Sequence, residues 1–251
     1  MKFHVIIPAR YESSRLPAKP LAKIKNKEMI LHVCERAKAS GAVSVSVATD
    51  HLVIKKIVEN AGFEAVMTRV EHGSGSDRIY EASEKLGLDD DAIIVNVQGD
   101  EPFIPIKNIQ QVASIVANTD AKMSTLCCPI NDESEVNSQN TVKVIFDKNN
   151  KAIYFSRSVI PFVRNKSINS DFSSNNYFRH IGIYAYTKAF LKQFVRWPMS
   201  NLEKLEKLEQ LRVIENGAEI HLNVLNSAPP AGIDTPEDLI RANQFIANQT
   251  L

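Results

Sequence analysis

The sequence predicts an α/β fold: a mostly parallel central sheet with helices on both faces, and a smaller β-rich insertion. Three observations carry this prediction. Short apolar runs alternate with amphipathic stretches from the N-terminus to about residue 128, the βαβα rhythm of a parallel sheet. Gly62, Gly87 and Gly217 stand where helical patterns stop. Near residue 140 the rhythm changes to strands joined by polar turns.

Taken in order, Phe3–Ile7 reads as a buried strand. Met29–Ala39 reads as a helix, with Met29, Ile30, Val33, Cys34 and Ala37 on one face. Val43–Ala48, Glu64–Met67, Ala92–Val97 and Met123–Cys128 read as strands. Leu52–Ala61, Asp77–Leu86 and Ile104–Ala117 read as the helices between them. Thr141–Asp147 and Ala152–Ser156 flank Lys148-Asn149-Asn150-Lys151 and form an expected hairpin. Residues 162–176 are rich in Ser and Asn, and a long mobile loop is expected there. Phe178–Tyr186 and Glu219–Val224 read as strands. Leu191–Phe194, Leu202–Asn216 and Pro236–Ala247 read as helices, the last capped by Asp234 or Thr235. No repeat or linker divides the chain, so one domain over residues 1–251 is expected, with the β-rich insertion at about 141–190.

Thirty Lys and Arg against 29 Asp and Glu leave a net charge of +1. That balance argues against a general nucleic-acid binder or a polybasic membrane anchor. No apolar run approaches the roughly 18 residues of a membrane helix. Three cysteines, two of them adjacent, suit reduced core thiols better than disulfides. A cytoplasmic enzyme or binding protein is expected.

Several stretches carry candidate chemistry. VIIPARYESSRLPAKPL, Val5 to Leu21, follows a buried strand with Arg10, Arg15 and Lys19 and has no glycine. Three cations beyond a strand's carboxyl end suit an anionic ligand such as a phosphate, and Ser13 and Ser14 add hydroxyl donors. VNVQGDEPFI ends a strand in Gln98, Gly99, Asp100 and Glu101. One of its carboxylates either holds a divalent ion or caps the next helix, and this pattern does not separate Asp100 from Glu101. In EHGSGSDRI, Ser74 and Gly75 lead into a helix N-terminus suited to a polar ligand; Asp77 reads equally as a cap and Arg78 as a surface ion pair. Arg157, His180, Tyr184, Glu209 and Gln210 lie in later stretches, each also readable as an ordinary surface or core residue. Asp234 reads as an N-cap or as a second metal-binding carboxylate.

Together, IIPARYESSRLPAKPL, ATDH, HGSGSDR, VNVQGDEP, VKVIFD, YFSRSVIPF, RHIGIYAY, LEKLEQLRVIENG and GIDTPEDL, in this order, resemble the 3-deoxy-D-manno-octulosonate (Kdo) cytidylyltransferases. The resemblance implies a Rossmann-like fold of the nucleotide-sugar pyrophosphorylase kind. It implies joining of CTP to Kdo, giving CMP-Kdo and diphosphate for lipopolysaccharide synthesis, with Mg²⁺ as cofactor and a homodimer as assembly. By the same resemblance, Arg10, Ser13, Arg15 and Lys19 fall on the triphosphate loop, and Ser74, Gly75 and Gln98 surround the nucleoside. Asp100 and Asp234 match the Mg²⁺ carboxylates. Arg157, His180, Tyr184, Glu209 and Gln210 match the sugar-acid pocket. Lys19, Asp100 and Asp234 are the expected catalytic set. No general base is required, so His180 is expected to bind the sugar's hydroxyls. Two positions depart from the family: Ala18 stands where glycine is usual, and Glu28 where proline is common. The alternatives are a related sugar acid, 8-amino-Kdo or sialic acid, or a nucleotide-binding protein without turnover.

Overall fold

A computed structural model describes residues 1–13, 15–164 and 176–248. Ser14 and most of the expected Ser/Asn-rich loop lie outside the described residues. The chain divides into two compact units, Met1–Gln110 with Pro229–Leu251, and Gln111–Ala228.

The first unit is built on a four-stranded parallel sheet. Strand β1 (His4–Ala9) pairs with β4 (Ser44–Thr49) on one side and β6 (Ile93–Asn96) on the other, and β4 pairs with β5 (Glu64–Met67). The β2–β3 pair (Lys23–Ile24 with Lys27–Glu28) is a minimal hairpin. Its turn residues Lys25 and Asn26 both have positive φ, as a two-residue hairpin turn that matches strand twist requires. Helix α1 (Met29–Ala39) buries the five residues expected from its periodicity. Glu28 precedes it in an extended conformation and contributes no side-chain cap.

Helices α2 (Leu52–Asn60) and α3 (Gly75–Lys85) complete the crossovers, and α4 (Ile106–Asn118) follows β6. Helix α3 begins two residues before the expected start. Its cap is Ser74, whose hydroxyl accepts the Asp77 backbone N–H at 3.1 Å, so the reading of Asp77 as cap is corrected. An apolar cluster of Leu16, Ile24, Met29, Ile233 and Ala242 joins the opening loop to the last helix, α9 (Pro236–Asn248).

The second unit has a mixed sheet. Strand β7 (Met123–Pro129) runs parallel to β11 (His221–Val224) and antiparallel to β10 (Phe178–Thr187). Strand β10 pairs with β8 (Lys143–Phe146), which forms the expected hairpin with β9 (Ala152–Ser156). Asp147 shapes the hairpin turn, its carboxylate accepting the N–H groups of Asn149 and Lys151 at 2.8 Å each. Helix α5 (Glu133–Asn137) has one buried apolar residue, Val136, and so left no period in the sequence.

Helix α6 (Lys188–Arg196) is longer than expected, starting at a Thr187 cap. The single helix expected over Leu202–Asn216 is two, α7 (Asn201–Glu206) and α8 (Leu211–Glu215), broken at Lys207 with φ 54°. The break has a physical cause. Arg212 holds Glu203 in a buried bidentate pair, at 2.7 and 2.6 Å. A straight helix would set residues nine apart about 13.5 Å along its axis, too far for that pair.

Gly99 follows β6 where it passes close to the end of β1. A Cβ there would lie 3.0 Å from the Pro8 carbonyl oxygen, a backbone atom that cannot swing aside. Gly99→Ala is expected to destabilise the protein by about 1–3 kcal/mol, seen as a lowered thermal midpoint.

Candidate active site

A cleft of about 750 Å³ opens at the carboxyl ends of β1 and β6 in the first unit. It is lined by the opening loop, with Arg10, Ser13, Arg15 and Lys19; by Ser74 and Gly75; and by Gln98 and Asp100. The sequence-predicted phosphate-loop and nucleoside residues therefore face one cavity. Ser74 is partly committed, since its hydroxyl also donates to the Asp77 carboxylate at 2.9 Å. The backbone at the start of α3 remains as a donor surface there.

Lys19 is the centre of the charge arrangement. It opens a 3-10 turn (Lys19–Leu21), preceded by Ala18 in the left-handed region at φ 50°, ψ 36°. That conformation costs a non-glycine residue about 1–2 kcal/mol. The Lys19 ammonium donates to the Asp100 carboxylate and, at 3.0 Å, to Asp234 Oδ1. Burial pulls this ammonium down, but the two carboxylates outweigh it and hold it above its ordinary value. Arg15 also reaches Asp234 Oδ1, at 3.0 Å.

The geometry resolves two alternatives. Thr235 caps α9: its hydroxyl accepts the Asp238 N–H at 3.2 Å, and the Asp238 carboxylate accepts the N–H groups of Asp234 and Thr235. The Asp234 side chain is thereby left for Lys19 and Arg15. Asp100, not Glu101, meets Lys19, and α4 begins later, at Ile106. Two carboxylates gathered by one ammonium form a donor set suited to Mg²⁺, which commonly takes one or two carboxylates and completes its shell with substrate phosphates and water. No group of three or more His, Cys, Asp or Glu residues suited to a metal is found among the described residues.

The sequence reading missed the support beneath the cleft. Arg78, read as a surface ion pair, is fully buried, donating to Asp50 Oδ2 at 2.8 Å and to the Thr68 hydroxyl at 2.5 Å. Burial lowers its pKa even though Asp50 opposes the shift. Asp50 Oδ1 also accepts the Tyr11 N–H at 3.2 Å, and the Tyr11 ring stacks on His51 at 3.8 Å. ATDH thus anchors the opening loop; its place at the carboxyl end of β4 was the available signal. Glu81 similarly ties down the segment before α3, accepting from the Arg69 N–H at 2.9 Å, from Lys85 and from His72. Burial would raise Glu81, but those hydrogen bonds hold it at about 2.

The sugar-pocket candidates all lie in the second unit. His180 on β10 is buried, with Phe155 edge-on at 4.9 Å and Tyr184 at 5.5 Å. Burial, and then the nearby Arg179 charge, push His180 down to about 3. Burial pushes the Tyr184 phenol well up, with the neighbouring Glu209 charge adding to the shift. Gln210 is 4% exposed, and its side-chain nitrogen has no hydrogen-bond partner among the described residues. Arg157 donates to the backbone oxygens of Glu206 at 2.8 Å and Gln139 at 2.9 Å. Lys143 of VKVIFD, also missed, is fully buried and donates to the carbonyls of Ser138, Thr141 and Arg157.

Asp50→Asn removes the counter-charge of a buried guanidinium. It should cost about 3 kcal/mol, or roughly 6–12 °C in unfolding midpoint, as differential scanning calorimetry would measure.

The model of the family described as "Cytidylyltransferase" matches residues 4–220. A 3-deoxy-manno-octulosonate cytidylyltransferase of Pectobacterium carotovorum is 49% identical over 250 residues, covering 99% of this chain and 100% of the relative. A second, from Actinobacillus pleuropneumoniae, named 3-deoxy-manno-octulosonate cytidylyltransferase 2, is 48% identical over 252 residues, with 99% and 100% covered. A solved structure of a CMP:2-keto-3-deoxy-manno-octonic acid synthetase complexed with CTP superposes with a TM-score of 0.90 at 38% identity, covering 99% of this chain and 100% of that one. With the family model spanning most of its length and such relatives matching it end to end, the chain belongs to the cytidylyltransferase family, among the 3-deoxy-manno-octulosonate cytidylyltransferases.

Proposed function

We infer that this protein is the nucleotidyltransferase that activates Kdo: CTP and 3-deoxy-D-manno-octulosonate give CMP-Kdo and diphosphate. The observation that carries the reading is the cationic cleft, with Arg10, Arg15 and Lys19 on its wall and Asp100 and Asp234 gathered on Lys19. It supports triphosphate binding in a chain whose relatives bear that activity in their names along their whole length. The same reading makes the two units one nucleotidyltransferase, acting in the cytoplasm as a homodimer and supplying lipopolysaccharide synthesis.

The anomeric hydroxyl of Kdo attacks the α-phosphorus of CTP in line, and diphosphate leaves. Both substrates are anions, so the protein's contribution is positioning and charge neutralisation. Arg10, Arg15 and Lys19 bind the triphosphate oxygens. Ser13 adds a hydroxyl donor, and Ser74, Gly75 and Gln98 hold the nucleoside. Asp100 and Asp234 would hold Mg²⁺, which supplies charge neutralisation on the phosphates and a lowered pKa for a bound hydroxyl. In the second unit, His180, Tyr184, Glu209 and Gln210 bind the sugar acid, with Arg157 for its carboxylate or hydroxyl oxygens. The orphaned amide of Gln210 supports this, because a buried donor without a partner is costly unless a ligand satisfies it. Burial makes the His180 imidazole a weak base, suited to hydrogen bonding rather than to proton abstraction.

The direct test is diphosphate release with CTP and a panel of sugar acids, with and without Mg²⁺. Turnover with Kdo that requires Mg²⁺ is expected. Turnover with 8-amino-Kdo or sialic acid but not Kdo would replace the substrate, and CTP binding without release would replace the activity. Asp100→Asn and Asp234→Asn should each lower kcat by about 10²–10³-fold with unchanged circular dichroism. Near-normal turnover in both would remove the two-carboxylate metal site. Lys19→Ala should act on CTP, raising its KM by roughly tenfold or more; a rise confined to the KM for Kdo would contradict its place on the triphosphate.

A further inference from the structure

Thr125 lies in the middle of β7, opposite an irregularity in β10. Ile181 stands across from Leu126 and Ala185 across from Ser124, so three residues of β10, Gly182 to Tyr184, face the single residue Thr125. The Thr125 side chain is fully buried, and its hydroxyl oxygen has three polar neighbours. They are the carbonyl oxygens of Ile183 at 2.8 Å and Ile181 at 3.1 Å, and Nε2 of His180 at 3.0 Å.

We infer that Thr125 is a positioning residue that fixes His180 as the Nε2–H tautomer, leaving Nδ1 as a hydrogen-bond acceptor for a hydroxyl of the sugar acid. The inference about the tautomer follows from counting protons. A threonine hydroxyl has one proton to donate, and a carbonyl oxygen can only accept. If Nε2 carried a lone pair, Thr125 would have to donate to it. Two close oxygen–oxygen contacts would then remain in a buried site with no proton between them, which is costly. If Nε2 carries the proton, His180 donates to the hydroxyl oxygen and the hydroxyl donates to the Ile183 carbonyl at 2.8 Å, so one oxygen–oxygen contact, to Ile181, is left without a proton of its own instead of two. Burial keeps the imidazole neutral, so one ring proton is present and the other nitrogen is bare. Phe155 and Tyr184 confine the ring from its sides. The β10 irregularity therefore brings the histidine and the Ile181 and Ile183 carbonyls to the one hydroxyl of Thr125. The step from tautomer to sugar rests on the placement of Kdo at His180 proposed above.

Imidazole ¹⁵N NMR of the substrate-free protein reads the tautomer directly. The wild type is expected to show a protonated Nε2 and an unprotonated Nδ1 for His180. Thr125→Val should lose that single tautomer and raise the KM for Kdo about tenfold, the equivalent of about 1.4 kcal/mol, with the KM for CTP unmoved. Thr125→Ser, which keeps the hydroxyl, should retain both the tautomer and the KM for Kdo to within about twofold. A protonated Nδ1 in the wild type would overturn the tautomer assignment, and this reading needs no variant to fold. A tautomer lost in Thr125→Val with an unchanged KM for Kdo would overturn the link from His180 to the sugar and leave the assignment standing. A fall in thermal midpoint with neither effect would make Thr125 structural only, which also overturns the proposal.

Discussion

One ammonium between two carboxylates organises the cleft. Lys19 meets Asp100, 81 positions away, and Asp234, 215 positions away, so a single side chain ties the opening loop to the end of β6 and the start of α9. Two like charges at about 4 Å repel by roughly 1 kcal/mol in water and about 4 at an effective dielectric near 20. Carboxylates that share one partner need a cation between them, and Lys19 supplies it within the chain. The arrangement depends on Thr235 and Asp238 capping α9 between themselves, for an Asp234 used as a cap would not reach Lys19.

Both units bury a charged side chain and satisfy it internally. Under the cleft, Arg78 is held by Asp50 and Thr68, and Asp50 passes the constraint to the opening loop through the Tyr11 N–H. In the second unit, Lys143 spends its three N–H donors on three carbonyls, one belonging to Arg157. Glu206 fixes Arg157 further, accepting its backbone N–H at 3.0 Å and its guanidinium at the backbone oxygen. Removing a partner leaves an uncompensated buried charge, which is why such networks are rigid.

The fold was legible wherever one periodicity dominated. The buried face of α1 and the hairpin of β8 and β9 follow from side-chain pattern and turn chemistry, which are local. The departures came where a distant partner decided. The break between α7 and α8 serves the Glu203–Arg212 pair, and the β10 irregularity has its counterpart in Thr125 on another strand. The early start of α3 came from Ser74 winning the cap over Asp77, two residues with similar capping preference.

By itself the sequence determined the alternation of strands and helices, the clustering of Arg10, Arg15 and Lys19 on one loop, and the likeness of nine ordered stretches to one family. Those properties reside in residue type and local spacing. Tertiary structure alone decided that Asp100 rather than Glu101 meets Lys19, that Asp234 is free of capping, and that Arg78 is interior. Each outcome depends on which hydrogen-bond partner lies within about 3 Å, and chain folding sets that distance between residues far apart in sequence.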